Sequence, residues 1–153
     1  MSAVAAEAQY ARDLIERVET LERVAESLPQ PDERRSTLLE LIQRDLSSAS
    51  PMRPRIVAEL LDLSEHTVRA WTAEGVLVRS DTTSPRLLLD VARVHVVLHL
   101  VQSLRAAGKT VGLLDEVHRR FSDETWLKRE DLAESLAEMS RGEGVVRVPL
   151  PQA

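Results

Sequence analysis

The chain has 153 residues, a net charge of −5 and no cysteine. That length can hold one domain with a real core or a small domain with helical extensions, and 43% hydrophobic with 29% charged residues is typical of a globular chain. The cysteine count excludes disulfides and thiolate chemistry, and with neither a signal-like start nor an unbroken apolar stretch of membrane-spanning length we expect a cytoplasmic protein.

Residues 1–50 predict an N-terminal helical hairpin for dimerisation or packing. Residues 2–28 and 32–46 each carry apolar side chains at helical spacing, and the prolines at 29 and 31 separate the two helices. Asp32 is the predicted N-cap of the second helix. The first helix has an apolar seam that needs a partner, either another helix of this chain or a second chain in a coiled coil. The seam consists of Ala11, Leu14, Val18, Leu21, Ala25 and Leu28.

The Ser- and Pro-containing residues 47–54 predict a linker, after which residues 56–77 predict two short helices joined by a tight turn. Ser64 is the predicted N-cap of the second helix, and Gly75 fits just beyond its last turn. If Val68 and Trp71 face the first helix, the polar side chains between them must face outward.

This stretch resembles the winged helix-turn-helix of MerR-type regulators and phage excisionases, whose pattern is roughly A-E-L-L-G-V-S-x-x-T-V-R-x-W-x-x-E-G-x-L. The resemblance covers residues 55–108, and Asp62 departs from it where the turn usually has Gly. Aspartate tolerates positive φ, so we expect the turn to be kept. The matching residues are Ala58, Glu59, Leu60, Leu61, Ser64, Thr67, Val68, Arg69, Trp71, Glu74, Gly75 and Leu77.

Two apolar runs, residues 76–78 and 86–89, flank a polar loop and predict a β-hairpin, which the resemblance identifies as the wing. Asp90 is the predicted cap of the next helix, residues 91–107, which is apolar around most of its circumference. Such a helix must be covered on more than one side, by the hairpin, by the C-terminal helices or by another copy. The expected fold class is therefore mainly α, a winged helix-turn-helix in residues 51–108 with helices on both sides.

The resemblance implies that the helix after Ser64 enters the major groove of double-stranded DNA, with Thr67 and Arg69 as principal contacts. Residues 52–109 carry eight basic and six acidic side chains, a net of +2, whereas residues 1–51 and 110–153 are net acidic. We therefore expect any basic surface to be confined to residues 52–109. The candidate DNA-binding residues are Arg53, Arg55, Ser64, Glu65, His66, Thr67, Arg69, Ala70, Arg79 and Arg86.

Residues 109–141 predict C-terminal helices, and residues 142–153 predict a flexible or partner-binding tail. The chain is similar to small bacterial antitoxins that join an excisionase-like unit to helical extensions. In that alternative a toxin would be held through a helix face and an added strand. The candidate partner-binding residues are Leu136, Met139, Val145, Val146 and Val148.

We expect no enzyme, cofactor or metal. There is no Gly-rich phosphate loop, no G-x-S-x-G elbow and no H-E-x-x-H motif. His95 and His99 have a spacing that can hold a metal, but a ligand set would need carboxylates from elsewhere, so satisfied or solvated histidines are the favoured interpretation.

Three functions remain open on the sequence. The first is a dimeric transcription repressor of its own operon, since one such unit buries too little DNA surface for tight binding. The second is the antitoxin of a toxin–antitoxin pair, and the third is an excisionase-type recombination factor. In all three we expect the protein to bind DNA, associated with the nucleoid.

Overall fold

A computed structural model of the protein describes residues 2–81 and 83–123. Five helices follow one another along this part of the chain, and residues 113–123 are also helical. Residues up to Leu113 form one compact unit, and a second unit begins at Leu114. Among the described residues, no helix has both the length and the apolar composition that a bilayer crossing requires. The helices are α1 (Ala3–Glu26), α2 (Glu33–Ser48), α3 (Pro54–Leu61), α4 (Glu65–Ala73) and α5 (Val91–Ala106).

The N-terminal helices α1 and α2 form the predicted hairpin and pack against each other. Leu14 and Val18 of the apolar seam are buried, as are Ile42 and Leu46 of α2. The Asp32 side chain caps α2 by accepting a hydrogen bond from the Arg34 amide at 2.9 Å. The seam is therefore covered within the chain, which favours intramolecular packing over a two-chain coiled coil.

Helix α5 joins the N-terminal hairpin to the central helices, because it packs against both α2 and α3. Its apolar stripe is buried over the whole length of the helix, from Val91 to Leu104. Asp90 caps it as predicted, accepting from the Arg93 amide at 3.0 Å. Only part of the remaining circumference stays exposed, notably Val96. The N-terminal hairpin therefore covers one side of α5, as the apolar composition of this helix required.

The predicted β-hairpin wing is wrong. The described residues contain no β-strand and only two isolated antiparallel bridges, Met52 with Leu89 and Arg79 with Leu89. Leu89 pairs on both sides, exchanging backbone hydrogen bonds of 3.1 and 2.7 Å with Met52. The bridge between Arg79 and Leu89 has only two backbone hydrogen bonds, from the Ser80 amide to the Leu88 carbonyl at 2.7 Å and from the Asp90 amide to the Val78 carbonyl at 2.9 Å. Such short pairings cannot sustain a hairpin on their own, so residues 78–81 and 83–90 form an irregular connection held to the unit by Leu89.

Candidate nucleic-acid interface

Helices α3 and α4 pack against each other as a helix–turn–helix, and the turn depends on Asp62. Asp62 has φ 55° and ψ 50°, the left-handed conformation that the sequence required at this position. The Leu63 amide donates to the Ala58 carbonyl at 3.0 Å, and the Asp62 amide donates to Glu59 at 3.3 Å. This pair of bonds is the Schellman arrangement, which satisfies the last carbonyls of α3 and reverses the chain tightly.

Ser64 starts α4 as its N-cap. Its hydroxyl oxygen accepts a hydrogen bond from the Thr67 amide at 3.1 Å and lies 2.8 Å from the Thr67 hydroxyl. Glu65 follows in the first turn, where a negative charge is favourable beside the positive end of the helix dipole. The predicted cap is confirmed, and it uses both the backbone and the side chain of Thr67.

The inner face of α4 is held by Val68 and Trp71, which are 0% and 4% exposed. The helix ends in a second Schellman arrangement at Gly75, whose φ is 82°. There the Val76 amide donates to the Trp71 carbonyl at 3.0 Å, and the Gly75 amide donates to Thr72 at 3.1 Å. Both ends of α4 are therefore fixed by local hydrogen bonds, and its underside is fixed by core packing.

Two arginines of α5 also hold the helix–turn–helix, and no pattern in the sequence pointed to them. Arg105 donates to the carbonyls of Leu61 and Asp62 at 2.6 and 3.0 Å, at the C-terminal end of α3. Arg93 donates to the Val76 carbonyl at 2.8 Å, just beyond α4. A cation is favourable at the C-terminal end of a helix, but the sequence does not show which helix end each arginine meets.

The outer face of α4 presents the residues that the resemblance selected. Glu65, His66, Arg69 and Ala70 are exposed, and Thr67 is half-buried beside Ser64. The Arg69 side chain is 56% exposed, and its Nη2 lies 3.6 Å from Oε1 of Glu65, one turn earlier in the same helix. Such an exposed pair contributes little to stability and is easily exchanged for another partner. Four of these five side chains are therefore accessible to a binding partner.

The candidate arginines before α3 differ in availability. Arg55 is exposed. Arg53 instead holds the carboxylate of Glu7 in α1 with both ends of its guanidinium, Nε to Oε2 at 2.8 Å and Nη2 to Oε1 at 3.0 Å. The pair takes up two of the five N–H groups of the Arg53 guanidinium, and the Glu7 carboxylate offsets its charge. Of the two, Arg55 is the better candidate for a backbone contact.

Arg79 and Arg86 lie at the two sides of the irregular connection rather than on a wing. Both are exposed, and Nη1 of Arg79 lies 3.5 Å from the Arg86 carbonyl. Arg86 borders an open pocket of about 470 Å³ that it shares with Glu7 and Arg53. Arg86 therefore lies close to the start of α3. Neither arginine stands on a wing, because the described residues contain no β-strand.

The five candidate partner-binding residues, from Leu136 to Val148, lie outside the described residues. A scan of protein-family models and searches of curated proteins and of solved structures found no match to this chain. The assignment of a function therefore depends on the chemistry of the surfaces themselves.

Proposed function

We propose that the protein is a sequence-specific DNA-binding transcription regulator that inserts α4 into the major groove. The observation that carries this proposal is the outer face of α4, where exposed polar side chains project from a helix fixed at both ends and along its underside. An α-helix with its side chains is about 10–12 Å across, which matches the roughly 12 Å width of the major groove. Because α4 is already held in place in the free protein, binding to DNA does not carry the entropic cost of ordering this helix.

Arg69 is the side chain best suited to bind DNA within this surface. Side chains on a helix lean toward its N-terminus, and the contact with Glu65 shows the Arg69 guanidinium displaced in that direction. The N-terminal end is the part of a recognition helix that contacts base edges. A guanidinium there can bind guanine O6 and N7 with two hydrogen bonds, or a phosphate.

Thr67 and Glu65 have supporting roles in this proposal. The Thr67 hydroxyl already interacts with Ser64, so it contributes chiefly by fixing the start of α4. The Glu65 carboxylate can accept a hydrogen bond from a cytosine amino group, and it repels a nearby phosphate. Glu65 therefore contributes more to discrimination between DNA sequences than to the affinity for DNA.

A second copy of the chain completes the proposal. One helix–turn–helix unit buries only about 600–1,000 Å² of protein surface on DNA, too little for tight specific binding at physiological salt. Two copies would bind two half-sites about one helical turn, or a multiple of it, apart on a two-fold symmetric operator. The chain's overall charge of −5 weakens non-specific attraction to DNA, which leaves more of the affinity to the specific contacts.

The test is a fluorescence-anisotropy titration with the duplex that lies immediately upstream of the protein's own coding sequence. We expect the full-length protein to bind this duplex more tightly than a scrambled duplex of equal length. Arg69→Ala should weaken binding about tenfold or more, since a bidentate base contact contributes roughly 1–3 kcal/mol.

The matched control is Arg44→Ala, which removes an exposed arginine of α2 outside the helix–turn–helix. This variant changes the net charge equally and should retain wild-type affinity. Equal losses in both variants would show that binding depends on total charge alone, and an unchanged Arg69→Ala variant would remove Arg69 from the interface.

A further inference from the structure

Three metal-ligating side chains meet between α1 and α5, away from the surface described above. They are Glu22 of α1 and His95 and His99 of α5, which we call the Glu22–His95–His99 cluster. Oε1 of Glu22 lies 3.1 Å from Nε2 of His95 and 3.0 Å from Nε2 of His99. The two Nε2 atoms lie 3.1 Å from each other. Three ligand atoms thus form a nearly equilateral triangle.

Hydrogen bonding alone satisfies this triangle poorly. The angle at Glu22 Oε1 between the two nitrogens is about 60°, whereas the lone pairs of a carboxylate oxygen point roughly 120° apart, so two donors cannot both align well on it. An ionised carboxylate supplies no hydrogen, and each Nε2 supplies at most one. If both imidazoles donate to Glu22, no hydrogen remains for the contact between the two nitrogens.

A cation bound by all three atoms satisfies the same geometry. With metal–ligand bonds of about 2.0–2.1 Å, ligand atoms stand roughly 3.3–3.4 Å apart around a tetrahedral ion and about 2.8–3.0 Å apart around an octahedral one. The observed separations of 3.0 to 3.1 Å fall between these two values. The imidazole rings meet edge to face, with their planes at 83°, so the two rings do not stack on each other.

The surroundings suit a partly buried ion. The side chains of His95, Glu22 and His99 are 10%, 21% and 44% exposed, so the site has a covered side and an open side. The open side faces a pocket of about 210 Å³ that also contains Glu19, Glu26, Arg23 and Gln102. The two carboxylates offset the positive charge of an ion. Arg23 opposes it, but its Nη2 donates to Thr20 at 3.2 Å.

We propose that Glu22, His95 and His99 form a binding site for one divalent first-row transition ion per chain. Two imidazoles and one carboxylate are the ligand types that Zn²⁺ and Fe²⁺ accept, and three protein ligands leave positions open to water. Mg²⁺ and Ca²⁺ prefer oxygen ligands and fit this set less well. The ion would tie α1 to α5, the helix that also holds α3 and α4 through Arg93 and Arg105.

The test uses Zn²⁺ as the probe, added to full-length protein that has first been dialysed against EDTA. Isothermal titration calorimetry should give one Zn²⁺ per chain, and Zn²⁺ should raise the thermal midpoint, because a ligand that binds the folded state stabilises it. Mg²⁺ at the same concentration should do neither. His99→Gln and Glu22→Gln should each weaken Zn²⁺ binding more than tenfold.

The control variants are His66→Gln and Glu16→Gln, an exposed histidine of α4 and an exposed carboxylate of α1 outside the cluster. Both should bind Zn²⁺ with wild-type affinity. His99 is the most exposed ligand, so its variant keeps the test informative if Glu22→Gln fails to fold. The proposal is overturned if Zn²⁺ does not bind the wild-type protein, or if His99→Gln binds it as tightly as the wild type does.

Discussion

Two polar regions of this protein differ in where their partners come from. On the outer face of α4, the partners of Arg69 and Thr67 lie three or four residues away in the same segment, and the Arg69 side chain is largely open to solvent. In the Glu22–His95–His99 cluster, the partners lie 73 and 77 residues apart in sequence and are partly buried. Weak local partners leave a surface available to another molecule, whereas long-range buried partners enclose a position for something small.

This difference predicts how substitutions will act. Side chains on the outer face of α4 should be replaceable without loss of stability, while those beneath α4 and in the cluster should not. Denaturation by urea or by heat measures these differences without any knowledge of the DNA sequence.

The largest expected effect is that of Trp71→Ala, beneath α4. Trp71 is almost fully buried between the helices, and removing a buried aromatic ring costs about 3–5 kcal/mol of unfolding free energy. Urea denaturation followed by circular dichroism measures this loss. His66→Ala, on the opposite face of the same helix, should change the free energy by no more than about 0.5 kcal/mol. A large loss in His66→Ala would mean that the outer face of α4 is covered.

A smaller effect separates two carboxylates, one from each region. Glu22→Ala leaves His95, which is nearly buried, without its carboxylate partner, and an unsatisfied buried polar group costs about 1–3 kcal/mol. Glu65→Ala removes only a weak exposed pair and should cost about 0.5 kcal/mol or less. Both are measured by urea denaturation in EDTA at neutral pH. Equal costs for the two variants would contradict the distinction between the regions.

The smallest effect concerns the turn that sets the angle between α3 and α4. Asp62 adopts positive φ, which costs most L-residues about 1–2 kcal/mol and costs glycine little. We expect Asp62→Ala to lose about 1 kcal/mol and Asp62→Gly to retain wild-type stability. Thermal denaturation of both variants checks the order. If Asp62→Ala proves as stable as Asp62→Gly, the backbone at Asp62 is not the constraint on this turn.

The helix–turn–helix was predictable because its signals are local. Ser64 at the start of α4 and Gly75 at its end are fixed by hydrogen bonds to residues three to five positions away, so the order of residues in the sequence already contains them. Val68 and Trp71 were likewise assigned inward by their spacing alone. Helix caps and helical periodicity are properties of one short segment, and they do not depend on the rest of the fold.

The failures involve residues that meet across long separations. The wing was predicted from two apolar runs, but the pairing between these runs is limited to one bridge, and Leu89 also pairs with Met52, which lies outside both runs. The spacing of His95 and His99 was visible, yet the third ligand atom comes from α1. The positions of Arg93 and Arg105 at helix ends likewise depend on how α5 packs. Only the folded chain brings these groups together.

The most direct test of the proposed function is selection from a library of random duplex DNA by the full-length protein, with sequencing of the bound fraction. The account predicts an enriched motif with two-fold symmetry, bound by the wild type and by Arg44→Ala and no longer enriched by Arg69→Ala. A wild-type protein that enriches no sequence over the starting library would contradict the claim that α4 reads DNA.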